Sequence, residues 1–64
     1  MTASELFETA QEHRRNKRFG DAINMYRATI EAEDVTEQLK ARCVASIELI
    51  QEINSFVNVD LLNP

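Results

Sequence analysis

Apolar residues recur at intervals of three and four along most of this 64-residue chain, and this periodicity limits the fold more than any other feature. The clearest example begins at Phe19 and continues through Ala22, Ile23, Tyr26 and Ile30. The spacing places these side chains on one face of an α-helix. No stretch alternates polar and apolar residues for long enough to indicate a strand. We therefore expect an all-α fold, in one domain because so short a chain supports a single small core.

The chain divides into three predicted helices and a tail, at about residues 3–17, 20–33, 35–55 and 56–64. Thr2 with Glu5, and Asp34 with Glu37, have the spacing of a capping box at a helix start. The first break falls at residues 16–20, where the only glycine, Gly20, tolerates left-handed backbone and Asn16 can also adopt it. The break is short, so the first two helices are expected to form an antiparallel hairpin. The second and third are expected to meet near Asp34 with almost no loop.

The third predicted helix carries an apolar stripe that is wider than a surface helix needs. The stripe contains Leu39, Cys43, Ile47, Ile50 and Val57, and Val44, Ile53 and Phe56 widen it. Part of it should therefore contact something beyond one hairpin. The tail is also apolar, and we expect it to dock on its own helices or on another copy. The predicted self-association residues are Ile53, Val57, Val59, Leu61 and Leu62.

The charge balance disfavours a general polyanion-binding protein. Eleven acidic residues against seven Lys and Arg give a net charge of −4, and non-specific nucleic-acid affinity comes from neutralising phosphates. Four bases and no acid nevertheless lie in residues 13–18. Cations at the end of a helix complement its dipole, which is the simplest reason for this cluster. A local contact with a phosphate or an acidic peptide stays open.

The residue inventory does not favour catalysis, a metal or a cofactor. The chain has one His, His13, and one Cys, Cys43, whereas a metal site needs three or four ligands. We expect His13 to be a half-buried packing residue and Cys43 a small buried apolar residue. Two glutamate pairs at i,i+4 spacing are expected on solvated faces. These pairs are Glu8 with Glu12 and Glu48 with Glu52.

The targeting features of the sequence favour the cytoplasm. The longest apolar run is three residues, at 43–45, so no membrane span is expected. Residues 1–20 contain three glutamates and no apolar stretch typical of a signal peptide. A single cysteine is also typical of a reducing compartment.

Residues 3–34 resemble the tetratricopeptide repeat, a 34-residue helix–turn–helix unit. The matching positions of the repeat are Leu6, Ala10, Phe19, Ala22 and Tyr26. Small residues at Ala10 and Ala22 would let the two helices approach closely. The chain departs from the pattern at Thr9, His13 and Asp34. The resemblance implies one repeat followed by a third helix that acts as a cap or as the first helix of the next repeat.

The resemblance also implies a non-catalytic scaffold that binds a protein or peptide. The residues it places on the inner side of the first helix are Phe7, Gln11, Arg14 and Arg15. The alternative for Phe7 is a core position. Residues 1–16 contain no lysine, so the Lys-x₃-Asn step that captures C-terminal carboxylates in this family is absent. Repeats need neighbours to bury their faces, which favours a homodimer. The alternative function is a small regulatory protein that contacts nucleic acid or acidic partners through residues 13–18.

Overall fold

The computed structural model of the protein describes the backbone of residues 1–54 and the side chains of residues 1–52. It contains three helices: α1 (Ala3–Arg15), α2 (Phe19–Glu31) and α3 (Glu37–Asn54). The described residues include no strand, so the all-α prediction is confirmed. Each helix is a little shorter than the sequence predicted, and the local hydrogen bonds give the reasons.

The start of α1 confirms the predicted capping box. The Thr2 hydroxyl accepts a hydrogen bond from the Glu5 amide at 3.2 Å, and the Thr2 amide donates to the Glu5 carboxylate at 2.9 Å. Two of the four amides that a helix start leaves without partners are thereby satisfied. The Thr2 amide also holds the pKa of the Glu5 carboxyl below its usual range, because the hydrogen bond favours the ionised form.

The turn between α1 and α2 corrects the expected role of Gly20. Lys17 adopts the left-handed backbone, with φ 62°, while Gly20 lies inside α2. The Arg18 amide donates to the His13 carbonyl at 2.8 Å, and the Lys17 amide to the Arg14 carbonyl at 3.0 Å. This pattern is a Schellman motif, which ends α1 two residues before the predicted boundary. Its short connection places α2 directly against α1.

The loop between α2 and α3 corrects the second predicted capping box. Five residues, 32–36, separate the helices, where almost none were expected. Thr36 caps α3, since its hydroxyl accepts a hydrogen bond from the Leu39 amide at 3.1 Å. Asp34 instead caps α1: both of its carboxylate oxygens accept from the Ala3 amide, at 3.0 and 3.2 Å. One side chain therefore ties the loop to the first turn of the protein.

A single core joins all three helices. Ala10 and Ala22 are fully buried, as expected for small residues where α1 and α2 pack together. Tyr26 is the largest fully buried side chain, and its ring contacts Phe7 at 5.8 Å between centroids. The buried cluster consists of Phe7, Ala10, Ala22, Ile23, Tyr26, Cys43 and Ile50. Residues from all three helices thus form the core, and the predicted burial of Cys43 is confirmed.

The α3 helix buries one side of its apolar stripe against the hairpin. Cys43 and Ile50 are buried, and Leu39 and Ile47 pack against the core from its edge. Val44 is 43% exposed, so the predicted widening of the stripe faces outward. α2 packs closely against both α1 and α3, whereas α1 and α3 approach each other much less closely. A groove is therefore left between the first and third helices.

Candidate functional site

The groove between α1 and α3 follows from a regular spacing along the chain. α3 begins at Glu37, 34 residues after α1 begins at Ala3. The first turns of both helices, together with Asp34 and Thr36, line a cavity of about 250 Å³ at one end of the groove. Further along, Arg42 of α3 lies against Phe7 of α1. Residues about 35 apart are thus neighbours, and the two helices run in the same direction.

We call the whole feature the arginine groove. It is defined by Phe7, Gln11 and Arg14 on α1 and by Arg42 and Leu49 on α3. The same offset of 35 residues pairs Arg14 of α1 with Leu49 of α3 in the sequence. Leu49 is 41% exposed, so an aliphatic surface accompanies the positive charges. Such a combination suits a ligand that is both apolar and acidic.

Arg42 of α3 contacts Phe7 of α1 within the groove. Its guanidinium carbon lies 5.0 Å from the centroid of the Phe7 ring, which is the distance of a cation–π contact. The ring also packs on Tyr26 and is only 6% exposed. The predicted partner residue Phe7 is therefore covered by Arg42 in the isolated chain. Arg42 was absent from the sequence prediction, although adding the repeat length to Phe7 leads to within one residue of it.

Gln11 is held in place by the core. The Tyr26 hydroxyl donates to the Gln11 amide oxygen at 2.6 Å, and Gln11 is half-buried. This bond satisfies the phenol of a fully buried ring, as buried polar groups require. It also orients the amide nitrogen of Gln11, which keeps its two N–H donors. Gln11 is thus a positioned donor on the groove wall.

The remaining predicted partner residues are cations at the end of α1. Arg14 is half-buried and Arg15 is exposed. Among residues 1–52 the one ion pair joins Lys40 to Glu37 at 3.8 Å, so neither Arg14 nor Arg42 is neutralised by a described carboxylate. Their charges are available to a ligand. The basic segment 13–18 continues this positive surface around the end of the hairpin, with Lys17 and Arg18 exposed.

The predicted self-association residues fall at the limit of the described chain. Ile53 belongs to α3, but its side chain lies outside the described residues. Val57, Val59, Leu61 and Leu62 also lie outside the residues that the structure describes.

A second cavity, of about 380 Å³, is also lined by Asp34, whose carboxylate accepts the hydrogen bond from the Ala3 amide. Leu6 lines it, and Leu6 is half-buried outside the main core cluster. The other lining residues are Met1, Thr2, Ala32, Glu33 and Asp34.

The side chains that could take part in catalysis or bind a metal are not among the residues that define the arginine groove. Cys43 is fully buried, and burial raises the pKa of its thiol, so it is held protonated. His13 is half-buried, and the glutamates of both i,i+4 pairs are exposed. Within the described part of the chain, no three His, Cys, Asp or Glu residues are grouped as a metal site would require. None of the helices described is long and apolar enough to cross a bilayer.

Comparison with protein-family models, with curated proteins and with solved structures finds no match to this chain.

Proposed function

We propose that this protein is a non-catalytic protein–protein interaction module of the tetratricopeptide type that binds its partner in the arginine groove. The observation that carries the proposal is that Arg14 and Arg42 form no ion pair with any carboxylate of residues 1–52, while Leu49 on α3 is partly exposed. Cations and exposed aliphatic surface in one groove are a common basis for peptide recognition. The 34-residue spacing of α1 and α3 supports the repeat-like interpretation.

Site-specific photo-cross-linking tests this proposal. Ala45 is exposed and lies on α3 between Arg42 and Leu49, so a photoreactive residue at position 45 should form an adduct with a partner in cells. The matched control is Asn24, which is exposed on α2. Arg14→Glu should remove the adduct at position 45. Equal adducts at both positions, or an adduct that survives Arg14→Glu, would contradict the assignment of the groove.

We also propose that the protein self-associates, because small repeat units bury too little surface alone. Molar mass from light scattering across a concentration series should rise above that of the monomer. The melting temperature should rise with protein concentration in parallel, since association stabilises the folded state. A molar mass that stays at the monomer value would contradict self-association and would not affect the partner-binding proposal. A cytoplasmic location, expected from the single cysteine, stays a prediction.

An alternative function is nucleic-acid contact through the basic segment 13–18. The observation that favours it is the exposure of Arg15, Lys17 and Arg18 at one end of the hairpin. Fluorescence anisotropy with a labelled single-stranded oligonucleotide at low salt is the direct test, because low salt maximises phosphate binding. Absence of binding there would eliminate this function. The acidic balance of the whole chain favours the protein partner.

A further inference from the structure

We propose that copies of this chain associate by placing the basic turn of one copy on the outer face of α3 of another. The basic turn is residues 15–18, and the outer face is defined by Glu37, Ala41, Val44, Glu48 and Glu52. This contact rests on the self-association proposed above and specifies which two surfaces meet. It requires no partner in the arginine groove.

The outer face of α3 combines exposed aliphatic surface with negative charge. Its five residues recur at intervals of three and four, so they share one side of the helix, and all five are exposed. Val44, at the centre, is 43% exposed. Glu37 forms an ion pair with Lys40 at 3.8 Å. Glu48 and Glu52 form none with any base of residues 1–52, so their charges are available to a second molecule.

The basic turn has the complementary character. Arg15, Lys17 and Arg18 are exposed, and none of them forms an ion pair with a carboxylate of residues 1–52. The turn is held in one shape, because the Arg18 amide donates to the His13 carbonyl at 2.8 Å. Phe19 follows directly and is half-buried at the edge of the core. The turn therefore presents three positive charges beside an aromatic side chain.

Charge complementarity favours a second copy as the occupant of the outer face. Every copy carries both surfaces, and no ion pair joins them within the described part of one chain, so they are able to meet between chains. Contact of α3 with α3 of another copy would instead bring like charges together. Exposed ion pairs contribute little individually, so we expect association in concentrated protein and dissociation on dilution.

The acidic side of α1 is a weaker site for the basic turn. Glu8 and Glu12 have the same i,i+4 spacing as the glutamate pair on α3, and they are also exposed. Their exposed neighbours Ser4 and Glu5 are polar. This side of α1 therefore offers charge without aliphatic contact, and it provides a matched control.

Two full-length variants that each lose one surface test the proposal. The face variant is Glu48→Gln with Glu52→Gln, and the turn variant is Arg15→Gln with Arg18→Gln. In light scattering across a concentration series, each alone should associate about tenfold more weakly than the unsubstituted chain, because charges at the contact lose their partners. An equal mixture should recover part of the lost molar mass, since the intact turn of one variant meets the intact face of the other.

The controls separate this contact from general effects of charge. Glu8→Gln with Glu12→Gln removes the same charge as the face variant, and Arg27→Gln removes an exposed base from α2. Both should associate like the unsubstituted chain. Raising the salt from about 0.1 M to about 1 M should weaken association, because the screening length falls from about 10 Å to about 3 Å. Circular dichroism should show the same helix content in every variant.

Three results would overturn the proposal. A face variant or a turn variant that associates like the unsubstituted chain would exclude that surface from the contact. A mixture no heavier than its components would show that the two surfaces do not meet each other. An unsubstituted chain that stays monomeric would contradict self-association as a whole. Association that none of these substitutions weakens contradicts only the assigned contact, and photo-cross-linking of the groove is independent of both.

Discussion

At the scale of single residues, Lys17 carries the clearest backbone cost in the molecule. Its φ of 62° is a conformation that a β-carbon disfavours and that glycine adopts freely. We expect Lys17→Gly to raise the free energy of unfolding by about 1 kcal/mol. Urea denaturation followed by circular dichroism measures the change. Lys17→Ala is the control, because it removes the charge and keeps the β-carbon; an equal gain from both variants would assign the effect to charge.

Asp34 is the residue whose loss should separate the loop from α1. Its carboxylate accepts the Ala3 amide at 3.0 and 3.2 Å, so Asp34→Ala leaves a helix-start amide without a protein acceptor. The expected loss is about 1 kcal/mol of unfolding free energy. Glu33→Ala, at the exposed neighbouring position, should change stability much less. Similar losses for the two variants would show that general loop charge, and not the cap, is responsible.

Glu5 gives the fold a specific dependence on pH. Hydrogen bonding to Thr2 lowers the pKa of the Glu5 carboxyl in the folded protein. The folded state therefore holds this proton less tightly than the unfolded state. The resulting stabilisation is present above the ordinary glutamate pKa of about 4.3 and is lost as the pH falls through the lowered value. We expect Glu5→Gln to flatten this part of the stability profile, compared with the unsubstituted chain in thermal melts over a pH series. An unchanged profile would contradict the role of the capping box.

At the scale of the elements, α3 has one side that supports the fold and another that does not. Ile50 is buried on the inner side, whereas Val44 is 43% exposed on the outer side. We expect Ile50→Val to cost about 1 kcal/mol of unfolding free energy. Val44→Ala removes more atoms, yet it should cost less than about 0.5 kcal/mol. Denaturant titrations of the two variants compare them directly, and the reverse order of costs would mean that the outer side of α3 is covered in solution.

The sequence was sufficient for the elements because each depends on local signals. Apolar spacing located all three helices, and Thr2 with Glu5 defined the first helix start. The errors came from tertiary context: Asp34 matched a local capping box, but it caps α1 across 31 residues. Similarly, Gly20 was the obvious turn residue, while Lys17 adopted the left-handed backbone. A local pattern lists residues that are able to cap or turn, and packing selects among them.

At the scale of the whole molecule, the candidate site was only half visible in the sequence. The α1 wall of the groove, with Gln11 and Arg14, followed from the repeat pattern. The α3 wall did not, because Arg42 is recognised only when α3 is set beside α1 at an offset of 35 residues. The burial of Phe7 under Arg42 has the same origin. A site made between two helices requires their relative position, which periodicity within either helix does not contain.

The 34-residue offset also makes the two outer sides of the molecule unequal. On α1, the positions that correspond to the core-facing residues of α3 are polar: Glu5, Thr9 and His13. On α3, those that correspond to the buried Phe7 and Ala10 are Ala41 and Val44, both small or aliphatic and both exposed. The outer side of α1 is therefore polar, whereas the outer side of α3 exposes apolar residues on which another helix could pack. Among the described residues, a further helix, whether fused in the laboratory or gained in evolution, would find an apolar outer side on α3 and a polar one on α1, so growth of this fold has a direction.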